Sequence, residues 1–461
     1  MTPSPATRHD GADDTHAPSA VVEVDFAKGG ADDAPGGADP IEPNAPEDEE
    51  VARITAKFGN PRKTIWLVLI AAIGGYIMMM GMGTALQLRL SVIDEDLATL
   101  VYSRATSLSA LLMLAVVPIV GALSDRTLSR LGRRRPWIVG GYLVAFLCFF
   151  IIGSTTSSVV IIAAYIIGIA SAQAGFNAYS VIPVEGVPGN MRGRIMGFMG
   201  LCGALAMSAG SYIAGALVDI STILLMTVPP TLAIICALPL LLLYKDPQHS
   251  REEIPQGGTL DMFAHMFVNP VKHPNFGIVW LSRFLAGAGM AAFLGFFVLY
   301  LIIGLHMTPA QAGAQAGHLS LMSAPVSIVV FIGSGWISDK LGMLRPLVAL
   351  AAIIMAVGLI IAATSTSITG FTVAWMVFAV GQPMYLTVDL ALCAKVLPNE
   401  ADAGKDMAVF GLALNLGNVL VPAVAPTLLG PASNNYPLLW GTAAALALGG
   451  ALLMPLVKGV K

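Results

Sequence analysis

Charge is what this chain lacks. Only 11% of its 461 residues are Asp, Glu, Lys or Arg, against about 25% in soluble globular domains. Its mean hydropathy is +0.76. So little polar surface cannot cover a water-soluble fold, and the composition excludes one. Cysteine is scarce as well. Cys148, Cys202, Cys236 and Cys393 all lie inside apolar runs without a ligand-spaced partner, which excludes a disulfide framework and a thiolate metal site. No Gly-x4-Gly-Lys-Ser/Thr loop, no His-Glu-x-x-His and no Gly-x-Ser-x-Gly occurs. ATP-driven pumping and hydrolase chemistry of those kinds are therefore not expected. Nor is any enzyme activity, cofactor, metal or nucleic-acid partner.

What is present is apolar length. A membrane-spanning helix needs about 20 mainly apolar residues, and twelve stretches qualify: 64–87, 100–124, 136–154, 157–183, 194–219, 222–244, 277–304, 312–337, 345–364, 368–394, 405–429 and 435–457. The fold class expected is an all-α membrane protein of twelve spans. The polar loop 245–276 divides them into bundles at 61–244 and 277–461. Loops after odd-numbered spans hold almost no Lys or Arg, with Arg89 and Arg104 beside the first as exceptions. Loops after even-numbered spans hold nearly all of it, from Arg126–Arg135 to Lys405. Positive charge stays on the cytoplasmic side, so both termini and every basic loop are expected there, in a plasma membrane. Residues 1–52 hold 13 acids against Arg8 and Lys28. Residues 1–60, rich in Asp, Gly and Pro without apolar periodicity, read as a disordered acidic cytoplasmic tail.

The most informative stretch follows span 2: Gly121-Ala-Leu-Ser124-Asp125-Arg126-Thr-Leu-Ser-Arg130-Leu-Gly132-Arg133-Arg134-Arg135-Pro136. A weaker copy follows span 8, as Gly335-Trp-Ile-Ser338-Asp339-Lys340-Leu-Gly342-Met-Leu-Arg345-Pro346, at an offset of 214 from its first residue. Val187-Pro188 answers to Leu397-Pro398, and Gly193-Arg194-Ile-Met196 to Gly404-Lys405-Asp-Met407. A repeat containing six spans, an even number, runs parallel to its partner about an axis along the membrane normal. These acid-basic loops resemble the signature of the major facilitator superfamily. The spacing from Ser124 to Pro136, with Ala85-Leu86-Gln87-Leu88 and Pro398-x5-Gly404-Lys405-Asp406-Met407, is similar to the sucrose and glycoside (glycoside-pentoside-hexuronide-like) symporter branch. The resemblance implies a sugar carrier whose spans 1, 4, 7 and 10 line a central cavity. In plant sucrose symporters span 4 carries an Asp and an Arg where this chain has Ile169 and Ser180, so sucrose and that proton site are not implied.

Polar side chains inside a bilayer are expensive and normally face the bundle interior or a water-filled cavity. Helical spacing groups them by face. Tyr76 and Gln87 share a stripe in span 1, Gln173 and Asn177 in span 4, Gln382, Tyr385 and Asp389 in span 10, and Asn415 and Asn418 in span 11. Span 7 offers Phe297 and Tyr300. Amide and hydroxyl groups beside aromatic faces suit a neutral polyhydroxylated solute, although such groups also bond packed membrane helices together. Asp389, a carboxylate within span 10, is the foremost candidate for coupling transport to a cation, a proton rather than sodium. Its alternative is pairing with Lys395 or Lys340. Glu185, ending span 4, is either a second coupling group or a gate acid. In the loops, Gly121, Asp125, Arg126, Gly132, Arg133, Arg134, Asp339 and Lys340 are expected to form a gate. Gly121 would allow close helix approach, and Asp125 would face the N-terminus of span 11. Arg126, Arg133 and Arg134 would pair with acids or lipid phosphates, while Arg130 and Arg135 would be positive-inside anchors. The expected protein is a monomeric symporter of a sugar or glycoside, contacting lipid. An exporter of drugs or other amphiphiles, suggested by 22 methionines, and a transporter-like receptor are the alternatives.

Overall fold

The computed structural model describes residues 47–129, 132–244, 246, 273–396 and 403–458. Twelve of its helices are long and apolar enough to cross a bilayer, and among the described residues there is no strand. Spans 1 to 6 are Pro61–Ile93, Glu95–Asp125, Arg135–Ser154, Ser158–Ser180, Gly189–Leu217 and Thr222–Leu243. Spans 7 to 12 are Pro274–Leu299, continued by a π turn Tyr300–Gly304, then Pro309–Leu341, Leu344–Thr364, Ile368–Val396, Ala403–Leu429 and Tyr436–Leu453.

Local chemistry sets where the helices begin. Proline occupies the first turn of spans 1, 3, 7, 8 and 12, where a missing N–H is harmless. Asn60 Oδ1 accepts from the Arg62 N–H, and Asp94 Oδ1 from the N–H groups of Asp96 and Leu97. Thr308 and Gln311 close a reciprocal capping box ahead of span 8, so donors that would otherwise point into lipid are bonded.

One expectation about the tail is corrected. Glu47–Phe58 forms a helix, because Val51, Ile54 and Phe58 share one face and Ile54 is buried. Residues 1–46 lie outside the described residues, as does all of the central loop except Asp246 and 273–276, and the Leu397-Pro398 part of the repeat.

Packing shows the internal repeat directly. Span 1 packs on 5 and 6, span 4 on 2 and 3, and span 3 on 6. Adding six to every number gives the main contacts of the second half: 7 on 11 and 12, 10 on 8 and 9, and 9 on 12. The halves meet through 2 against 11 and 5 against 8, two pairings that the same operation exchanges.

That seam is closed at one end. Towards the end opposite the basic loops, the Gln87 Oε1 accepts from the Leu299 N–H at 3.1 Å, and Tyr102 meets the Phe296 ring edge-on at 5.6 Å. The Ser107 and Ser208 hydroxyls donate to the carbonyls of Val419 and Gly317 at 2.7 and 2.9 Å. Backbones touch where Gly215 faces Gly313; a Cβ on Gly313 would lie 2.5 Å from the Gly215 Cα. Towards the basic-loop end the spans diverge. Among the described residues, a Cβ on Gly121, Gly197, Gly200, Gly333 or Gly411 would meet nothing within 4 Å. The close approach expected at Gly121 is therefore not found among the described residues.

The basic loop is a knot within the first half. Gly132 has φ +101°, and a Cβ there would lie 2.3 Å from Asp246 Oδ2. That carboxylate, just beyond span 6, accepts from the N–H groups of Arg134 and Arg135 at 2.8 and 3.1 Å. It thus sits at the positive end of span 3. Arg135, expected to be a free anchor, instead donates to the Tyr244 carbonyl. The second half keeps part of this arrangement. Gly342 also has positive φ, at +63°, and Arg345 donates to the Val457 carbonyl beyond span 12. In each half an arginine entering the third helix ties down the end of the sixth. Asp339 and Lys340 are exposed, with Lys340 Nζ 4.8 Å over the Trp336 ring.

Two glycines of one motif should therefore behave oppositely. Gly132→Ala combines a disfavoured φ with a collision and is expected to cost about 1–3 kcal/mol. Gly121→Ala, in open helix, should stay within about 0.5 kcal/mol of the parent or improve on it. Thermal unfolding of the two variants in detergent checks this; equal melting temperatures would refute the geometry described for the loop.

Candidate functional site

Between spans 2, 4 and 11, on the open side of the seam, lies a cleft of about 530 Å³. Its polar lining is Gln173, Asn415 and Asn418; Met113, Leu114 and Val117 form part of the apolar wall. Among the described residues no charged residue lines it. Gln173 Nε2 donates to Asn177 Oδ1 at 2.8 Å, one turn apart on span 4, which aims this amide pair together. Asn415 and Asn418 are exposed to the cleft. Two stripes grouped by helical period are thus brought face to face. Tyr76 of span 1 is half-buried, edge-on to Phe176 of span 4 at 5.0 Å, and Gln382 is half-buried on span 10.

Other candidates sit elsewhere. Gln87 is buried in the closed seam, its Nε2 donating to the Gly83 carbonyl while its Oε1 crosses to span 7. Phe297 and Tyr300 do not face the cleft in this conformation. Phe297 packs on Trp375 at 4.7 Å and Tyr300 on Trp440 at 4.5 Å, and the Tyr300 hydroxyl donates to the Ser365 carbonyl. They belong to an aromatic core shared by spans 7, 10 and 12. Helical period could not say that large aromatic rings from two other spans cover them.

Asp389 is fully buried and ion-paired, and its partner is Arg283 of span 7 rather than Lys395 or Lys340. Tyr385, one turn earlier, is fully buried too. Arg283 was not singled out in the sequence. The available signal was a lone arginine nine residues into an apolar span, a position too costly to leave unpaired. Arg89, the exception to the charge rule, has a comparable explanation. Its guanidinium donates to the carbonyls of Ile152 and Thr155, completing the end of span 3.

Glu185 closes a one-turn helix, Ile182–Glu185, and accepts from both Arg133 and Arg134. The Arg134 Nη1 also donates to Ser124 Oγ at 3.0 Å. These contacts bind the span 2–3 loop to the end of span 4, within one half. Arg126 follows the last turn of span 2 and is engaged there. The side chains of Asp125 and Arg130 lie outside the described residues. Among the described residues no group of His, Cys, Asp and Glu could hold a metal ion.

Comparison with known proteins places this geometry. The Major Facilitator Superfamily profile matches residues 32–211, 108–422 and 279–460. No curated protein matches the chain. Among solved structures, a point mutant of the nucleoside transporter NupG superposes with TM-score 0.70 at 12% identity, covering 86% of this chain and 100% of its own. A bacterial homologue of the human lysosomal transporter Spinster, inward-facing and unoccupied, gives 0.64 at 14%, over 87% and 96%. The peptide transporter POT in complex with sulfate gives 0.65 at 12%, over 88% and 97%. Identities this low speak for the fold alone. The profile, however, covers both halves of a membrane region whose packing repeats every six spans, and the chain belongs to the Major Facilitator Superfamily.

Proposed function

We propose that this protein is an alternating-access secondary carrier that moves a small neutral polyhydroxylated solute, a sugar or glycoside, together with a cation. The observation that supports it most is the cleft: amide groups from spans 4 and 11, no lining charge among the described residues, and a seam closed on one side only. Amides offer a donor and an acceptor each, which matches hydroxyl groups, whereas an ionic solute would call for a charged partner. The positive-inside distribution of Lys and Arg makes the open side cytoplasmic, in a plasma membrane, with both termini on that side. The carrier in this reading is monomeric and inward-open. Gln173, Asn177, Asn415 and Asn418 contact the solute, with Tyr76 and Gln382 joining as the halves close. The Arg133–Arg134–Glu185 knot keeps the first half rigid while it moves, so Glu185 acts in the loop and not in coupling. One charge moving down 100 mV supplies about 2.3 kcal/mol, enough at about 1.4 kcal/mol per decade for near fifty-fold accumulation.

A second reading, export of amphiphiles, draws support from the apolar wall that span 2 gives the cleft.

Uptake of a panel of radiolabelled mono- and disaccharides into proteoliposomes, with and without an imposed pH gradient, separates the two. The carrier reading expects gradient-dependent accumulation of at least one sugar. Asn415→Ala and Asn418→Ala should each raise its KM about tenfold, a lost hydrogen bond of about 1.5 kcal/mol, without lowering thermal stability. No sugar accumulating, with apolar dyes extruded instead, would favour the exporter.

A further inference from the structure

A second cleft, of about 300 Å³, lies between spans 8 and 10 and is lined by Gln315, His318, Leu319, Leu321, Met322 and Thr372. Its place on span 8 shows what it faces. His318, Val329, Ile332 and Trp336 follow i, i+11, i+14 and i+18, one side of the helix, and the last three are 69%, 71% and 63% exposed. On the opposite side Ser323 Oγ accepts from Trp375 Nε1 and Ser327 Oγ donates to the Ala379 carbonyl, both of span 10. Large apolar side chains so exposed on a membrane-spanning helix belong in hydrocarbon. The cleft therefore opens towards lipid.

Two of its residues do not suit hydrocarbon. Gln315 and His318 lie within one turn of each other, His318 is exposed, and polar side chains facing lipid are costly. The Thr372 hydroxyl is occupied, donating to the Ile368 carbonyl of its own helix. The Tyr212 ring of span 5 meets the His318 ring edge-on at 5.2 Å. Among the described residues neither the Gln315 amide nor the His318 imidazole makes a hydrogen bond. Their depth explains them. Trp336, eighteen residues after His318, lies about 27 Å further along the axis, close to the hydrocarbon thickness of about 30 Å. Lys340 Nζ is 4.8 Å over the Trp336 ring, an indole and an ammonium of the kind that collect at a headgroup boundary. His318 and Gln315 thus stand at the opposite boundary, and Leu319, Leu321 and Met322 lead inward from it.

The cleft is polar at the boundary and apolar below it, as a phospholipid is. Among the described residues no carboxylate, lysine or arginine lines it, and recognition of a phosphate would call for arginine or lysine. The deepest polar groups of a diacyl lipid are its two ester carbonyls, which accept hydrogen bonds and donate none. A glutamine amide and an imidazole each supply an N–H. We propose that Gln315 and His318 form a binding site for a diacyl phospholipid of the leaflet away from the basic loops, their N–H groups donating to its ester carbonyl oxygens while an acyl chain runs along Leu319 and Met322. Donors placed at ester depth distinguish this site from the apolar faces around it, which any hydrocarbon chain can cover. The site stands apart from the transport cleft and does not depend on which solute the protein carries.

The test is native mass spectrometry of the full-length, delipidated protein in detergent, titrated with a diacyl phosphatidylcholine and with its dialkyl ether analogue of equal chain length. The ether lipid keeps the headgroup and both chains and lacks only the carbonyls. The wild type is expected to bind the first ester lipid at least about tenfold more tightly than the ether lipid, at about tenfold per hydrogen bond. Gln315→Leu and His318→Leu should each reduce that preference, and the double variant should lose it by weakening the ester lipid alone. His318→Gln, which retains an N–H donor, should keep it. Leucine suits a lipid-facing position, so melting of these variants in detergent alone should match the parent, whereas added ester lipid should raise the melting temperature of the wild type and not of the double variant. Equal binding of the two lipids by the wild type, which needs no variant to observe, would overturn the proposal. So would an ester preference surviving in the double variant, or wild-type binding that follows headgroup charge instead of the ester linkage.

Discussion

The structure depends on the closeness of two helix backbones at one end of the molecule. Spans 5 and 8 carry glycine at Gly215 and Gly313, where any side chain would strike the opposite backbone, and Gly317 lies flat against the Tyr212 ring. In lipid there is no hydrophobic drive between helices, so close van der Waals packing and hydrogen bonds between small residues must hold them. Along this seam those residues are concentrated at one end, with the Ser208 hydroxyl and the Gln87 amide bonding across it. Across the other pairing of the halves, spans 2 and 11 border the cleft.

Arginine is used in three ways. Arg89, Arg135 and Arg345 satisfy backbone carbonyls at helix ends, which rigidifies each half. Arg133 and Arg134 pair with Glu185 in the loop. Arg283 pairs with the buried Asp389, joining spans 7 and 10. Rigid halves joined by a seam that is closed at one end suit the rocking of one half against the other.

Much of this was legible in the sequence. Hydropathy locates all twelve spans, with bounds up to six residues from those observed, since each must stay apolar across a hydrocarbon layer of about 30 Å. The Gly132 and Gly342 repeat reads out a backbone constraint, a positive φ at equivalent turns, and so survives in weak similarity. The helix at 47–58 was overlooked although Val51, Ile54 and Phe58 carry the period, because the acidic residues around them dominate the composition. Asp389 could be recognised as costly, but its partner lies 106 residues away and no local pattern points to it. Asp246 likewise reads as a loop acid until the span 3 N-terminus is seen beside it. Period assigns a side chain to a face; only tertiary packing decides whether that face meets water, a ring or another charge.

The account stands on the two halves rocking about this seam. Spin labels at Met196 and Trp336 report the basic-loop ends of spans 5 and 8, and labels at Ile220 and Gln311 report their opposite ends. Pulsed electron–electron double resonance in nanodiscs would measure both distances in the parent and in Gly313→Val, whose added side chain cannot fit the closed seam. The account predicts that the variant lengthens the Ile220–Gln311 distance and shortens the Met196–Trp336 distance together. Both distances unchanged, or both lengthened, would contradict it.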